Sequence, residues 1–213
     1  MVLMSDTHNR HDRLTVPEGD IVIHAGDATW GGTYRELKPF AGWFSGLPHK
    51  HKVMVAGNHD DLLSIDPEIV TSLGIHYLAY ASVTLEGLLI YGGPFYTVPD
   101  KRVYRIDERW AAFKISEVWA ERAFSEAPSN PDIVVTHRPP RGTLDWVIGD
   151  GVHGGSLAVK KYVERVKPRL HVFGHIHDSR GKTQTPGTLT LYVNAACHDE
   201  NMNFVDGCYV VDL

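Results

Sequence analysis

Gly57-Asn58-His59-Asp60 places a neutral carbonyl, a titratable ring and a carboxylate directly after the apolar run Val53-Met54-Val55-Ala56. Groups of these types bind metal or move protons, and Gly57 lets the backbone turn tightly enough to aim them into one space. Asn58 is the candidate metal ligand, His59 the candidate acid–base group, and Asp60 the carboxylate that would orient the His59 ring. Four other apolar runs end in the same manner. Val2-Leu3-Met4 leads to Asp6 and His8, two residues apart and so pointing the same way in extended chain. Ile21-Val22-Ile23 leads through His24 to Gly26-Asp27. Ile133-Val134-Val135 leads to His137, and Leu170 to Phe173 leads to Gly174-His175-Ile176-His177.

Taken singly, each ending is ordinary. Asp-x-His can be a turn carboxylate beside an exposed ring, and Asp after Gly is a common turn or capping residue. His24, inside its strand, reads first as a satisfied core histidine. Taken together, the endings carry more weight, because strands joined by crossover helices gather their ends on one sheet edge. Asp6, His8, Asp27, Asn58, His137, His175 and His177 exceed the roughly four ligands one ion takes. They suit two ions if Asp27 bridges. Nitrogen and oxygen ligands without thiolate favour manganese, with iron, zinc, nickel or cobalt as alternatives. Two divalent ions about 3.5–4 Å apart suit an in-line displacement at phosphorus.

The elements that must position these residues read as alternating strands and helices. Spacings of three and four predict helices over 33–46, with Pro39 as a kink or a break, over 62–73, with Pro67 as a break or a new N-terminus, over 107–126 and over 155–167. The aromatic stripe of the third, with Trp110, Phe113 and Trp119, is expected in the core. Further strands are expected at 75–80, 83–85, 88–91, 189–195 and 208–213. Residues 94–106 and 142–153 read as loops. The first of these carries Phe95, Tyr96, Lys101, Arg102, Tyr104 and Arg105, which either cover a substrate or pack on the domain. His49 and His51 are expected on a solvated surface. Arg138 and Arg141 would either touch a substrate phosphate or face solvent.

The 213 residues, 43% hydrophobic and 22% charged, suit one globular domain over 1–213. A net charge of −5 argues against a groove for long nucleic acid. A small phosphate ester is still compatible, because bound ions would supply the positive charge. Thirteen histidines are dispersed rather than clustered as a tag. No apolar run approaches the ~18 residues of a membrane span, and no signal peptide is read at the N-terminus. Cys197 and Cys208 fit no zinc spacing and read as buried thiols of a reducing compartment. A cytoplasmic location without membrane contact is expected.

Asp6-x-His8, Gly26-Asp27, Gly57-Asn58-His59-Asp60, His137 and Gly174-His175-x-His177 resemble the full signature of calcineurin-like metallophosphoesterases, over residues 4–196. More narrowly, Ser5 to Arg10, Ile23 to Asp27, Ala56 to His59 and Leu170 to Gly174 are similar to the metallophosphoesterase-domain subfamily of class III cyclic nucleotide phosphodiesterases. The chain departs from that pattern at Arg138, where relatives often carry glycine, and in being shorter around 94–106. The resemblance implies an α/β fold, a four-layer α/β-β/α sandwich of two mixed sheets flanked by helices. It implies Asp6, His8 and His177 on one ion, Asn58, His137 and His175 on the other, and Asp27 between them. A hydroxide held between the ions would attack phosphorus, and His59, its ring held by Asp60, would protonate the leaving oxygen. The activity implied is a phosphodiesterase of small substrates such as cyclic nucleotides. A phosphomonoesterase acting on nucleotides or proteins, and a non-catalytic scaffold on the same fold, are the alternatives.

Overall fold

The computed structural model describes residues 1–94, 96–98, 113–184, 187, 189–199 and 201–213. β1 (Val2–Met4), β2 (Ile21–His24), β3 (His51–Met54) and β4 (His76–Tyr77) run parallel, and β15 (Tyr209–Val210) lies antiparallel to β1. In the second sheet β6 (Leu88–Gly93), β9 (Ile133–Thr136), β12 (Leu170–Phe173) and β14 (Leu191–Asn194) run parallel. The antiparallel strands β5 (Ala81–Leu85) and β13 (Gly181–Gln184) close its two edges. Both sheets are therefore mixed.

The alternation of side chains along each strand explains the layering. Leu3, Ile23, Val53 and Val55 of the first sheet meet Ile90, Ile133, Val135 and Val172 of the second in one buried cluster. On the outer face of the first sheet, Val22 and Met54 pack against Leu37, Phe40 and Phe44 of helix α1 (Tyr34–Gly46). On the outer face of the second, Val134 and Phe173 pack against Phe124 of α3 (Glu117–Glu126) and Tyr162 of α4 (Leu157–Val166). Helix, sheet, sheet and helix thus stack in four layers. Phe40 and Phe44 are fully buried, and truncating such a ring to alanine typically costs about 3–5 kcal/mol.

Several elements differ from the reading of the sequence. Helix α1 runs unbroken through Pro39. The stretch 62–73 is divided at Pro67, as expected, but its first part is a 3-10 turn at Asp61–Ser64 and its second a short helix α2 at Glu68–Thr71. Tyr96–Val98 (β7) pairs with Lys114–Ser116 (β8), so part of the expected loop and part of the expected helix form a small sheet. Phe95 and residues 99–112, with Trp110, Lys101, Arg102, Tyr104 and Arg105, lie outside the described residues. Ser116 caps α3 by accepting from the Trp119 amide. That register turns Ala120 and Phe124 inward and leaves Val118 and Trp119 exposed, which corrects the assignment of Trp119 to the core. Phe113 is buried on the far side, in the α1 cluster. The expected loop at 142–153 holds a hairpin, β10 (Trp146–Val147) and β11 (Val152–His153). His49 is buried rather than solvated, and His51 pairs with Glu86.

Candidate metal centre

Because β1, β2 and β3 are parallel neighbours, the turns after them open on one edge of the first sheet, bringing Asp6, His8, Asp27, Asn58 and His59 together. The turns after β9 and β12 bring His137, His175 and His177 to the same place from the second sheet. A Ser5–Ala196 bridge stitches the two sets at the seam. All seven predicted ligands converge. Asp6, His8 and His177 form one group and Asp27, His137 and His175 another, with the ligand atoms of each group within 4.8 Å of one another. Asn58 Oδ1 is 3.2 Å from His137 Nε2. Asp27 Oδ2 lies 3.3 Å from His137 Nε2 and 3.9 Å from His8 Nε2, so it stands between the groups.

The backbone is bent to achieve this. Asp6, His8, Asp27 and His175 all take left-handed conformations, with φ of 54°, 41°, 56° and 69°. Strain of about 1–3 kcal/mol per residue gathers at functional sites and persists where surrounding contacts fix it. Those contacts are visible. The Asp6 carboxylate accepts from the His175 amide, and Asp27 Oδ1 accepts from the His59 amide at 2.8 Å. A Cβ at Gly57 would overlap Asp27 Oδ1, and one at Gly174 would overlap Asp6 Oδ2 and Ser5 Oγ. The glycines of both motifs therefore make room for carboxylates.

The donor set fits divalent ions. His8 Nδ1 donates to Thr29 O and His137 Nδ1 to Ala25 O, both at 3.0 Å, which leaves each Nε2 free to ligate. Burial alone would raise both carboxyls. Instead the hydrogen bond and charge of His177 hold Asp6 far below the usual carboxylate range, and His137 holds Asp27 at about 2. Burial would lower His137, but Asp27 raises it to about 9, and Asp6 raises His177 in the same way. Burial pushes His175 down to about 3. The two buried carboxylates thus favour the protonated form of the imidazoles that face them, at the positions where divalent cations would neutralise them.

Two buried histidine–threonine pairs hold the ligand turns from behind. His24 Nδ1 accepts from the Gly26 amide, and its Nε2 lies 3.1 Å from Thr7 Oγ1, between Asp6 and His8. Thr7 donates in turn to Ala28 O. In the second sheet, His171 Nε2 lies 2.9 Å from Thr136 Oγ1, which donates across His137 to Arg138 O. Thr136→Val removes that bridge at constant volume and is expected to weaken manganese binding about tenfold, with Thr136→Ser close to wild type. Equal affinities of wild type and Thr136→Val in a chelator competition would remove the bridge from the site's design.

Burial holds both His24 and His171 near 3. Their folded values lie below their unfolded value near 6.5, so their contribution to stability is complete above about pH 6.5 and is lost as pH falls toward 3. Asp60, raised to about 6 by burial and by Asp27, acts in the opposite sense, but it is one group against three, since His175 is lowered in the same way. The melting temperature of metal-free protein is therefore expected to fall between pH 6.5 and 4. A flat profile over that window would contradict it.

His59 and Asp60, the pair expected to carry acid–base chemistry, are arranged differently from expectation. His59 Nδ1 donates to Trp30 O at 2.6 Å, and its ring stacks on Trp30 with centroids 5.4 Å apart at 27°. Asp60 does not hold that ring. Fully buried, it accepts from the amides of Gly57, Ala28 and Thr29 and from Thr29 Oγ1, tying the Asp27 turn to the Asn58 turn. Arg138 Nε donates to Gly154 O and Arg141 Nη1 to His153 O, so both brace the β11 strand and its exit rather than the cleft.

Four contributors were not read from the sequence. Thr29 and Trp30 lie two and three residues beyond Asp27. Glu36 of α1 accepts from Asn9, Gly31 and Thr33, joining the turns after His8 and Asp27 to the helix. The Thr33-x-x-Glu36 capping-box spacing signals it. His198 is buried, donates from Nδ1 to Asp6 O at 2.8 Å, and stacks on His177. Its signal was a histidine just beyond another buried strand. A cleft of 310 Å3 is lined by His8, Asp27, Asn58, His59, His175 and His177, with Trp30, Val147, Ile176 and Met202 at its walls.

The profile of calcineurin-like phosphoesterases matches residues 2–179. The chain belongs to the calcineurin-like phosphoesterase family. It is 34% identical to metallophosphoesterase domain-containing protein 1 of Homo sapiens, across 100% of this chain and 70% of that protein. It is also 34% identical to UPF0046 protein C25E10.12 of Caenorhabditis elegans, across 100% of this chain and 80% of the relative. The crystal structure of TT1561 from Thermus thermophilus superposes with a TM-score of 0.64 over 93% of this chain and 88% of that one, at 15% identity, and shares the fold. Membership of the calcineurin-like phosphoesterases implies a dinuclear divalent centre, and the two converging ligand groups supply candidates for it. No helix among the described residues is long and apolar enough to cross a membrane.

Proposed function

We propose that this calcineurin-like phosphoesterase is a dinuclear-metal-dependent phosphodiesterase of small substrates, cyclic nucleotides among them, working as one domain. The observation that carries the reading is the pair of ligand groups sharing Asp27 at the floor of a 310 Å3 cleft. Asp6, His8 and His177 would hold one ion, Asn58, His137 and His175 the other, with Asp27 shared between them. Manganese suits this thiolate-free set. When bound, such ions would supply an activated water and neutralise charge growing at phosphorus.

The chain's own residues supply the rest. In the imidazolium form His59 spends Nδ1–H on Trp30 O and presents Nε2–H to the cleft. As the phosphorus–oxygen bond to the leaving group breaks, that proton passes to the departing oxygen. Asp60 keeps the turn that carries His59 in register with Asp27. The free thiols Cys197 and Cys208 support a reducing, cytoplasmic setting.

The test is hydrolysis of bis-p-nitrophenyl phosphate beside p-nitrophenyl phosphate by metal-stripped protein, with and without manganese. Manganese-dependent cleavage of the diester, with little of the monoester, is expected. The reverse preference would make the protein a phosphomonoesterase. Turnover of neither by metal-loaded protein would favour a scaffold.

A further inference from the structure

We infer that Trp30 is a specificity-determining residue whose indole face selects esters carrying a planar aromatic group on the leaving side of phosphorus. This rests on the phosphodiesterase reading above and names the substrate class for the same cleft. Trp30 is 54% exposed although it lines the cleft. Its orientation is fixed from two directions: it stacks on His59, and it meets the His8 ring edge-on at 4.9 Å and 70°. A wall held in place before binding loses little entropy when a ligand settles on it.

His59 marks the side on which the leaving oxygen departs, so the ring stacked on it borders the leaving group. The other walls are apolar as well, with Val147, Ile176 and Met202, and Met202 is 41% exposed. Among the described residues no lysine or arginine lines the cleft, and the charged side chain beyond the candidate ligands and His59 is the carboxylate of Asp178. Apart from the candidate metal sites, the described walls offer no cation to a second phosphate or to the extra charge of a monoester dianion. They suit a singly charged diester with a flat, apolar substituent. Stacking of a planar ring on an aromatic side chain is worth about 1–3 kcal/mol, or about 5- to 150-fold in affinity.

The experiment is calorimetric titration of the manganese-loaded full chain with the monomethyl esters of phenylphosphonic and methylphosphonic acids, with bis-p-nitrophenyl phosphate hydrolysis measured alongside. The wild type is expected to bind the phenyl ligand about tenfold or more tighter. Trp30→Ala and Trp30→Leu are both expected to bring the ratio close to one, because leucine keeps apolar bulk without a flat face. Equal wild-type affinities, or a phenyl preference that survives in Trp30→Ala, overturn the inference. A preference lost in Trp30→Ala but kept in Trp30→Leu overturns stacking as its basis. Failure to bind either ligand while the diester is still hydrolysed overturns this inference alone. Failure of both binding and hydrolysis overturns the phosphodiesterase reading with it.

Discussion

Asp27→Ala is expected to strip both metal ions from the protein and to abolish measurable phosphoester turnover. The carboxylate stands between the two ligand groups, 3.3 Å from His137 Nε2 and 3.9 Å from His8 Nε2. If it bridges as proposed, its removal would take a ligand from each ion and the one negative charge they share. Metal ions contribute several kcal/mol each to stabilising charge at phosphorus, and every 1.36 kcal/mol is tenfold in rate. Loss of both ions therefore corresponds to a fall of at least about 10⁴-fold. Asp27→Asn keeps the shape and the acceptor for the His59 amide, and is expected to retain at most one weakly bound ion. Metal analysis after dialysis, beside the melting temperature of the metal-free variants, separates loss of ligation from loss of fold. Asp27→Ala with two ions at full occupancy would rule out the bridging role.

The convergence of the candidate ligands was legible because strand and polar ending are coupled in the sequence. A buried strand is a dense apolar run, and a polar residue just beyond it must lie at a sheet edge. The crossover topology then gathers five such edges without further information. Which way a side chain turns at an edge is not coded in this way. Asp60 adjoins His59 in sequence, yet it turns back to the amides of Gly57, Ala28 and Thr29, because buried donors claim a buried acceptor. The partner His59 does find, Trp30 O, is a backbone atom of another turn. Residue type gives no sign of such an atom. The same limit applies to Arg138 and Arg141, whose guanidinium groups meet carbonyls of the β11 segment. Helix periodicity misled at 107–126 for a different reason. Apolar spacing continued across Ser116, whereas the Ser116 cap restarts the helical register.

His59→Ala is expected to lower turnover by about 10²–10⁴-fold on substrates with alkoxide leaving groups, the range typical of losing a general acid. Metal content should stay intact, because the imidazole belongs to neither ligand group and bonds to Trp30 O instead. The main-chain amide that donates to Asp27 Oδ1 survives in alanine. The decisive comparison is between leaving groups. p-Nitrophenolate departs readily without a proton, so hydrolysis of bis-p-nitrophenyl phosphate should fall by no more than about tenfold. A 2′,3′-cyclic nucleotide releases a ribose alkoxide that needs one, and should show the full loss. A residue that merely shaped the cleft would depress both reactions alike. Equal losses on the two substrates, or none on the cyclic nucleotide, would take the proton-transfer role away from His59 and leave Trp30 O holding a structural ring.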